Sequence, residues 1–158
     1  MPIYMKYADI KGDVDAKEYK DWIGLLSFQV GVGRHMTQAG GSGKNREAGK
    51  ASVSEIVVTK ECDESSVKLF QEACKGLAVD VKIDFTTVQN DTLKPFLQYT
   101  LKECMISQFS SSSGGDRPNE SLALNFTFIE TKFTPYDAKD KAGNPISASY
   151  NLKTVEAA

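Results

Sequence analysis

Histidine occurs once in this chain of 158 residues, cysteine three times, and a long apolar run not at all. Each scarcity excludes something. A zinc site at His35 would need ligands from elsewhere, and no Cys, Asp or Glu stands at zinc-like spacing to it. A Ser-His-Asp triad would have to use the same imidazole, set in a Gly-rich stretch ill suited to hold a base rigidly. Cys62, Cys74 and Cys104 form no C-x-x-C pair. An odd, scattered set argues against a disulfide framework and predicts buried, reduced thiols. No window approaches the ~18 apolar residues of a membrane span. The start, "MPIYMKYADIKGDVD", lacks the basic-then-apolar order of a secretory signal. The expectations are no metal, no cofactor, no catalytic group, no membrane insertion, and synthesis in the cytoplasm without a signal peptide.

An excess of one charge is missing too. The net charge is −2 and the pI about 5.5, whereas nucleic-acid binders usually carry a basic excess, so no nucleic-acid partner is expected. With 41% hydrophobic and 25% charged residues the composition is that of a globular domain. A chain of this length buries ~68–70% of its unfolded surface, enough for one domain over 1–158 without staples.

What is present is mostly period two. "AVDVKIDF" puts Val79, Val81, Ile83 and Phe85 on one face and Asp80, Lys82 and Asp84 on the other. "LALNFTF" does the same with Leu122, Leu124, Phe126 and Phe128. This is strand alternation with one face buried. Beyond Phe128 the phase slips to Ile129, Thr131 and Phe133, which predicts a bulge or a move to a second sheet. "IYMKYADI", "LLSFQVGV", "VSEIVVTK", "FLQYTL", "ECMISQF" and "ISASYNL" are further strands, giving about eight. Ser27 and Gln29 alternate with Leu26, Phe28 and Val30, so they leave the core. Alternation does not say which outer surface they meet.

"DESSVKLFQEACKG" has helical spacing instead: Val67, Phe70 and Cys74 share a stripe, with Leu69 and Ala73 beside it. The spacing predicts a helix at about 65–75, capped by Asp63 or a following serine and ended by Gly76. Glu61, Asp63 and Glu64 suit its positive end. Residues 31–52 are rich in Gly and poor in large apolar side chains. They read as an extended loop, centred on about 37–51.

Two glycine motifs fail on inspection. In "GGSGK", Asn45 follows Gly43-Lys44 and Gln38 stands where the P-loop needs its first Gly. "GVGRHM" has Met36 at the third glycine of a dinucleotide fingerprint, and no helix pattern follows. "SSSSGGDRPNES" (110–121) could form a backbone anion nest, but a strand pattern follows it and no helix end would face the anion. Gly114 and Gly115 supply turn geometry and Pro118 interrupts pairing. Asp116, Arg117 and Glu120 are expected to pair and hold this structural loop in one shape.

Five stretches, in order and over nearly the whole chain, resemble one family. They are "IYMKYADIKGDV", "SFQVGVGR", "SVSEIVVTKECDESSVKLFQEAC", "SSGGDRPNESLALNF" and "TPYDAKDKAGNP". The family is that of the haemolysin-coregulated proteins (Hcp), tube-forming proteins of bacterial type VI secretion. The resemblance implies a mainly β fold: a compact antiparallel β-barrel of two sheets with one helix alongside. It implies six copies in a ring, rings stacked into a tube, a spike of the valine-glycine-repeat family, a contractile sheath, and small effector proteins held in the lumen. It implies export to the medium or a target cell. On that reading Ser27 and Gln29 are lumen-facing candidates. Gly40, Gly41, Ser42, Gly43 and Lys44 are candidates for a ring-stacking loop. A phage or phage-like tail-tube protein is the alternative architecture, and a small β-barrel hydrolase the alternative from the enzyme class.

Overall fold

The computed structural model describes the backbone of residues 1–38 and 46–158 and the side chains of 1–36 and 49–158. Strands dominate it: β1 (Ile3–Tyr7), β2 (Ile23–Leu25), β3 (Ser27–Gln29), β4 (Val32–Gln38), β5 (Arg46–Val53) and β6 (Ile56–Glu61) precede the helix α1 (Ser66–Lys75). After it come β7 (Val79–Gln89), β8 (Thr92–Ser112), β9 (Asn119–Asn125), β10 (Phe128–Phe133), β11 (Ile146–Asn151) and β12 (Glu156–Ala157). A 3-10 turn at Lys17–Tyr19 lies between β1 and β2.

All ladders are antiparallel. One path runs β12-β11-β10-β8-β7-β1-β2, and a second leaves β8 through β9 and β6 to β3. The two paths approach each other at Leu26, whose amide donates to the Thr59 carbonyl at 2.7 Å between β2 and β3. Among the described residues no ladder joins β2 to β6, so the barrel is two-sheeted and antiparallel but left open there.

The two strands read from "FLQYTL" and "ECMISQF" are one. β8 runs unbroken for 21 residues because an extra residue is absorbed at Glu103, which takes a φ of 50°. The register steps from Val81↔Leu101 to Val79↔Cys104 across it. Such a bulge twists a strand sharply, and here it carries β8 from one sheet into the other. The phase slip after Phe128 has the matching cause: β9 pairs with the second half of β8, and β10 with the first. Leu122 and Leu124 are fully buried on β9.

The helix forms where its spacing predicts, and Gly76 ends it with a φ of 67° and an amide bonded to the Glu72 carbonyl. Asp63 accepts from the Ser65 amide at 2.9 Å. Of the apolar residues read there, only those beside the stripe turn inward. Val67, Phe70 and Cys74 face solvent, while Ser66 and Leu69 are buried and Ala73 packs on the core. Two apolar stripes compete on this short helix. The barrel takes the one that also carries Ser66, because Ser66 has partners inside. With Cys74 exposed and Cys62 half-buried, only Cys104 fulfils the expectation of buried thiols.

Those partners form a buried ionic cluster. Lys60 Nζ lies 2.7 Å from Glu120 Oε1, 2.9 Å from Asp63 Oδ1 and 3.1 Å from Ser66 Oγ, and donates to the Glu61 carbonyl at 2.8 Å. Ser66 Oγ also donates to Glu120 at 2.8 Å. Lys60 is fully buried and Glu120 nearly so. The expected Asp116–Arg117–Glu120 trio therefore does not form: Glu120 turns inward, where β6 offers it an ammonium.

A second expectation fails on β7. Asp80 and Lys82 are exposed as read, but Asp84 is buried beneath the 3-10 turn. The Tyr19 hydroxyl donates to it at 2.9 Å, and Gln98 lies at 3.2 Å. Burial raises the Asp84 pKa against the lowering pull of these bonds and of Lys82.

Lys60→Ala would strand Glu120 without its cation, and should cost about 3–5 kcal/mol in urea unfolding. A loss below about 1 kcal/mol would show that water reaches the carboxylate. Asp84 answers to pH. Its folded pKa is raised, so the folded state holds the proton more tightly than the unfolded chain does. The resulting penalty is absent below the unfolded value, grows as pH rises through the raised folded value, and persists above it. Asp84→Asn should therefore match the wild type in stability at low pH and exceed it at neutral pH; a difference independent of pH would refute the account.

Candidate functional site

Ser27 and Gln29 occupy β3, whose middle residue points the other way. The Phe28 ring meets Phe85 at 5.2 Å and Tyr99 at 4.7 Å between centroids. That aromatic anchor turns Ser27 and Gln29 outward, and both are exposed. Ser27 Oγ is hydrogen-bonded to Thr59 Oγ1 on β6. The registers extend this pair across four strands: Ser27 faces Thr59, Thr59 faces Ser121, and Ser121 faces Ser110. The next row is Gln29, Val57, Ala123 and Gln108. The outer face of β3, β6, β9 and β8 is thus built in these rows from hydroxyls, amides and small apolar groups, without a charge. Only Ser27 and Gln29 were legible beforehand. Thr59, Ser110 and Ser121 join them through register, which a single strand's alternation does not reveal.

The described residues of the stretch read as a loop at about 37–51 belong to two antiparallel strands that pair as in a hairpin. β4 and β5 pair from Val32↔Val53 to Gln38↔Arg46, with a shift of register between Arg34 and Met36. His35 sits in that irregularity and is exposed. A side chain at Gly49 would lie 2.9 Å from the His35 carbonyl, so the close approach of the strands requires glycine. Gly40, Gly41, Ser42, Gly43 and Lys44 lie outside the described residues. The strands escaped notice because their residues are mostly small or polar and leave no alternating apolar signal.

The hairpin base overhangs an apolar groove of about 270 Å³, lined by Val32, Ala51 and Val53 on one side and by Tyr99, Ile129 and Tyr150 on the other.

The segment after β8 is held by its own polar atoms. Ser113 Oγ donates to the Asp116 carbonyl at 2.5 Å and accepts the Gly115 amide at 3.0 Å. Gly115 has a φ of 117°, a conformation that favours glycine, whereas Gly114 does not share this positive φ. Arg117 Nε donates to the Cys62 carbonyl at 2.6 Å, and its guanidinium lies 3.7 Å from the Asp13 carboxylate. The Cys62 amide in turn donates to the Pro118 carbonyl at 2.9 Å. Arg117 so ties this turn to the loop that enters α1, and strand β9 follows. Beside it a cleft of about 280 Å³ opens between Asp13, Leu26, Glu61 and Arg117.

Burial pushes the Cys104 thiol up to about 12, which keeps it protonated and a poor nucleophile at neutral pH. Burial likewise raises the Tyr7 and Tyr19 hydroxyls, with the Asp84 carboxylate adding to the shift at Tyr19. Among the described residues no group of three or more His, Cys, Asp or Glu is placed to hold a metal ion. Among the described residues no helix is long and apolar enough to cross a membrane.

Comparison with known proteins places this architecture. The family model described as type VI secretion system effector, Hcp, matches residues 4–133. The protein hcp1 of Pseudomonas aeruginosa is 28% identical over 155 residues, covering 96% of this chain and 94% of its own. A solved type six secretion system protein superposes with a TM-score of 0.90 at 28% identity, over 99% of both chains. Hcp1 from Salmonella typhimurium shares the fold, with a TM-score of 0.79 at 21% identity over 99% of this chain and 98% of its own. The chain belongs to the Hcp family of type VI secretion proteins.

Proposed function

We propose that this chain is the structural subunit of a type VI inner tube, one domain over 1–158, with no catalytic role. Six copies close into a ring, and rings stack into a tube that leaves the cell with its spike. The observation that carries the reading, beside family membership, is the pair of uncharged rows around Ser27 and Gln29 on the outer face of β3, β6, β9 and β8. A wall past which small proteins must slide needs groups that hydrogen-bond briefly and hold nothing tightly. Hydroxyls and amides do this, whereas an exposed charge would trap a partner of opposite sign. We assign Ser27 and Gln29 to the lumen on that ground.

The remaining roles follow the same reading. The Gly40–Lys44 stretch is assigned to contacts between rings. Gly114, Gly115, Asp116 and Arg117 form a structural turn, and Glu120 serves the interior. The partners are other copies of this chain, a valine-glycine-repeat spike, a contractile sheath and small effectors in the lumen. The protein is made in the cytoplasm and exported through the apparatus it builds.

Electron microscopy of the purified protein should show rings with an open centre and six-fold symmetry; monomers alone at micromolar concentration would overturn the proposal. Ser27→Arg should leave the rings intact and reduce the small exported protein that co-purifies with them by about ten-fold, the equivalent of 1.4 kcal/mol. Undiminished cargo on intact rings would move Ser27 to the outside of the tube.

A further inference from the structure

We propose that the connection between β1 and β2 is a lever, resting on Asp84 at one end and on the entrance to α1 at the other, which seats when Asp84 is protonated and lifts when its carboxylate is ionised. The inference goes beyond the tube-subunit reading and rests on the fold alone.

The seat is a carboxylate enclosed by polar tips and aromatic rings. Asp84 is 5% exposed, and Tyr19, in the 3-10 turn above it, 4%. The Tyr19 hydroxyl donates to one carboxylate oxygen at 2.9 Å, and the Gln98 amide of β8 reaches both oxygens, at 3.2 and 3.3 Å. The register sets Tyr4 of β1 opposite Asp84. The Tyr4 ring stacks on Tyr19 at 4.7 Å between centroids, and Trp22 meets Tyr19 edge-on at 4.8 Å. Lys82 attracts the carboxylate from two residues along β7, Lys132 of β10 stands opposite Gln98, and Tyr136 lies near Tyr19. Among the described residues no lysine or arginine comes within ion-pair distance of Asp84. A hydroxyl and an amide must therefore replace the water that an ionised carboxylate loses here. They do so incompletely, and burial lifts the Asp84 pKa above the ordinary carboxylate value.

Asp84 stands on the outer face of β7, between exposed Lys82 and half-buried Thr87, so the turn is what keeps water from it. A closed seat binds the proton more tightly than an open one, and acid favours closure. The lever is fully seated below the ordinary carboxylate value, loosens as pH rises through the raised one, and stays loosened above it. The effect is local and precedes unfolding of the domain.

The arm moves as one piece. The Gly12 amide donates to the Asp21 carbonyl at 2.8 Å, the Val14 amide to the Trp22 carbonyl at 3.2 Å, and the Asp21 amide to the Val14 carbonyl at 2.9 Å. A side chain at Gly12 would lie 2.4 Å from the Trp22 carbonyl, so the two backbones touch. Asp21 is held at a φ of 65°, a left-handed conformation that disfavours a residue with a side chain. Motion at Tyr19 is thus passed to Asp13. The Asp13 carboxylate accepts the Glu64 amide at 3.2 Å and lies 3.7 Å from the Arg117 guanidinium. Both contacts are exposed and yield readily. Lifting the arm withdraws Asp13 from the approach to α1, so a proton on β7 is felt at the entrance of the helix.

Trp22 is the only tryptophan of the chain, and its fluorescence reports on the seat. In the wild type its emission should change in one step as pH rises through the Asp84 titration, with far-UV dichroism constant. Hydrogen-exchange protection of the Glu64 amide, corrected for the intrinsic effect of pH, should fall several-fold in the same step. Asp84→Asn should hold both signals at their low-pH values throughout. Tyr19→Phe deletes a bond that pulls the Asp84 pKa down, so it should move the step to higher pH, which simple fraying of the turn would not do. If Asp84→Asn proves unstable, the displacement in Tyr19→Phe decides alone. A step that survives Asp84→Asn, or folded wild-type protein with no step, would overturn the proposal. A step at Trp22 without one at Glu64 would overturn the lever. Monomeric protein that shows both steps would remove the tube reading and leave this one standing.

Discussion

The buried ammonium of Lys60 is the constraint on which the lower half of this fold depends. A fully desolvated lysine is tolerable only with its protons satisfied and its charge matched, and here each partner comes from a different element. Glu120 is the second residue of β9, Ser66 opens α1, Asp63 belongs to the loop before it, and the Glu61 carbonyl ends β6. Satisfying one cation therefore fixes three things: where β9 starts, how the loop turns, and which side of the helix faces inward. The rotation of α1 is an electrostatic outcome as much as a hydrophobic one.

That outcome shapes the outside of the molecule. Drawing Ser66 inward leaves the Val67–Phe70 stripe on the surface. The same inward turn of Glu120 frees Arg117 to hold the Cys62 carbonyl and approach Asp13, so the turn after β8 and the approach to α1 become one assembly. At the other end, Phe28 does with an aromatic cluster what Lys60 does with charge. Its ring packs inside and turns Ser27 and Gln29 out.

Legibility in the sequence followed side-chain size. Strands such as β7 and β9, with large apolar residues at every second position, could be read directly, and the phase slip at Phe128 announced the change of sheet. The hairpin could not, because Gly49, Ala51 and Ser52 give no amplitude to an alternation that is nevertheless there. The helix was visible but its facing was not: a buried serine carries no hydrophobic signal, and the lysine that draws it in lies six residues away. Asp84 misled in the same way, since alternation assigns it to water and only the fold brings Tyr19 over it. Of the candidate face, Ser27 and Gln29 could be named, while the hydroxyl row they belong to depends on pairings between distant segments.

The continuity of β8 has a mechanical consequence. A barrel made of two sheets could fail by one sheet sliding off the other, with only side-chain packing to resist. Here a single covalent strand crosses from the first sheet to the second at Glu103, and its two halves are gripped by β7 and β10 on one side of the bulge and by β9 on the other. A load applied across the subunit travels along that strand as tension. It is met by whole ladders of hydrogen bonds loaded side by side in shear, so the bonds would have to break together rather than one at a time.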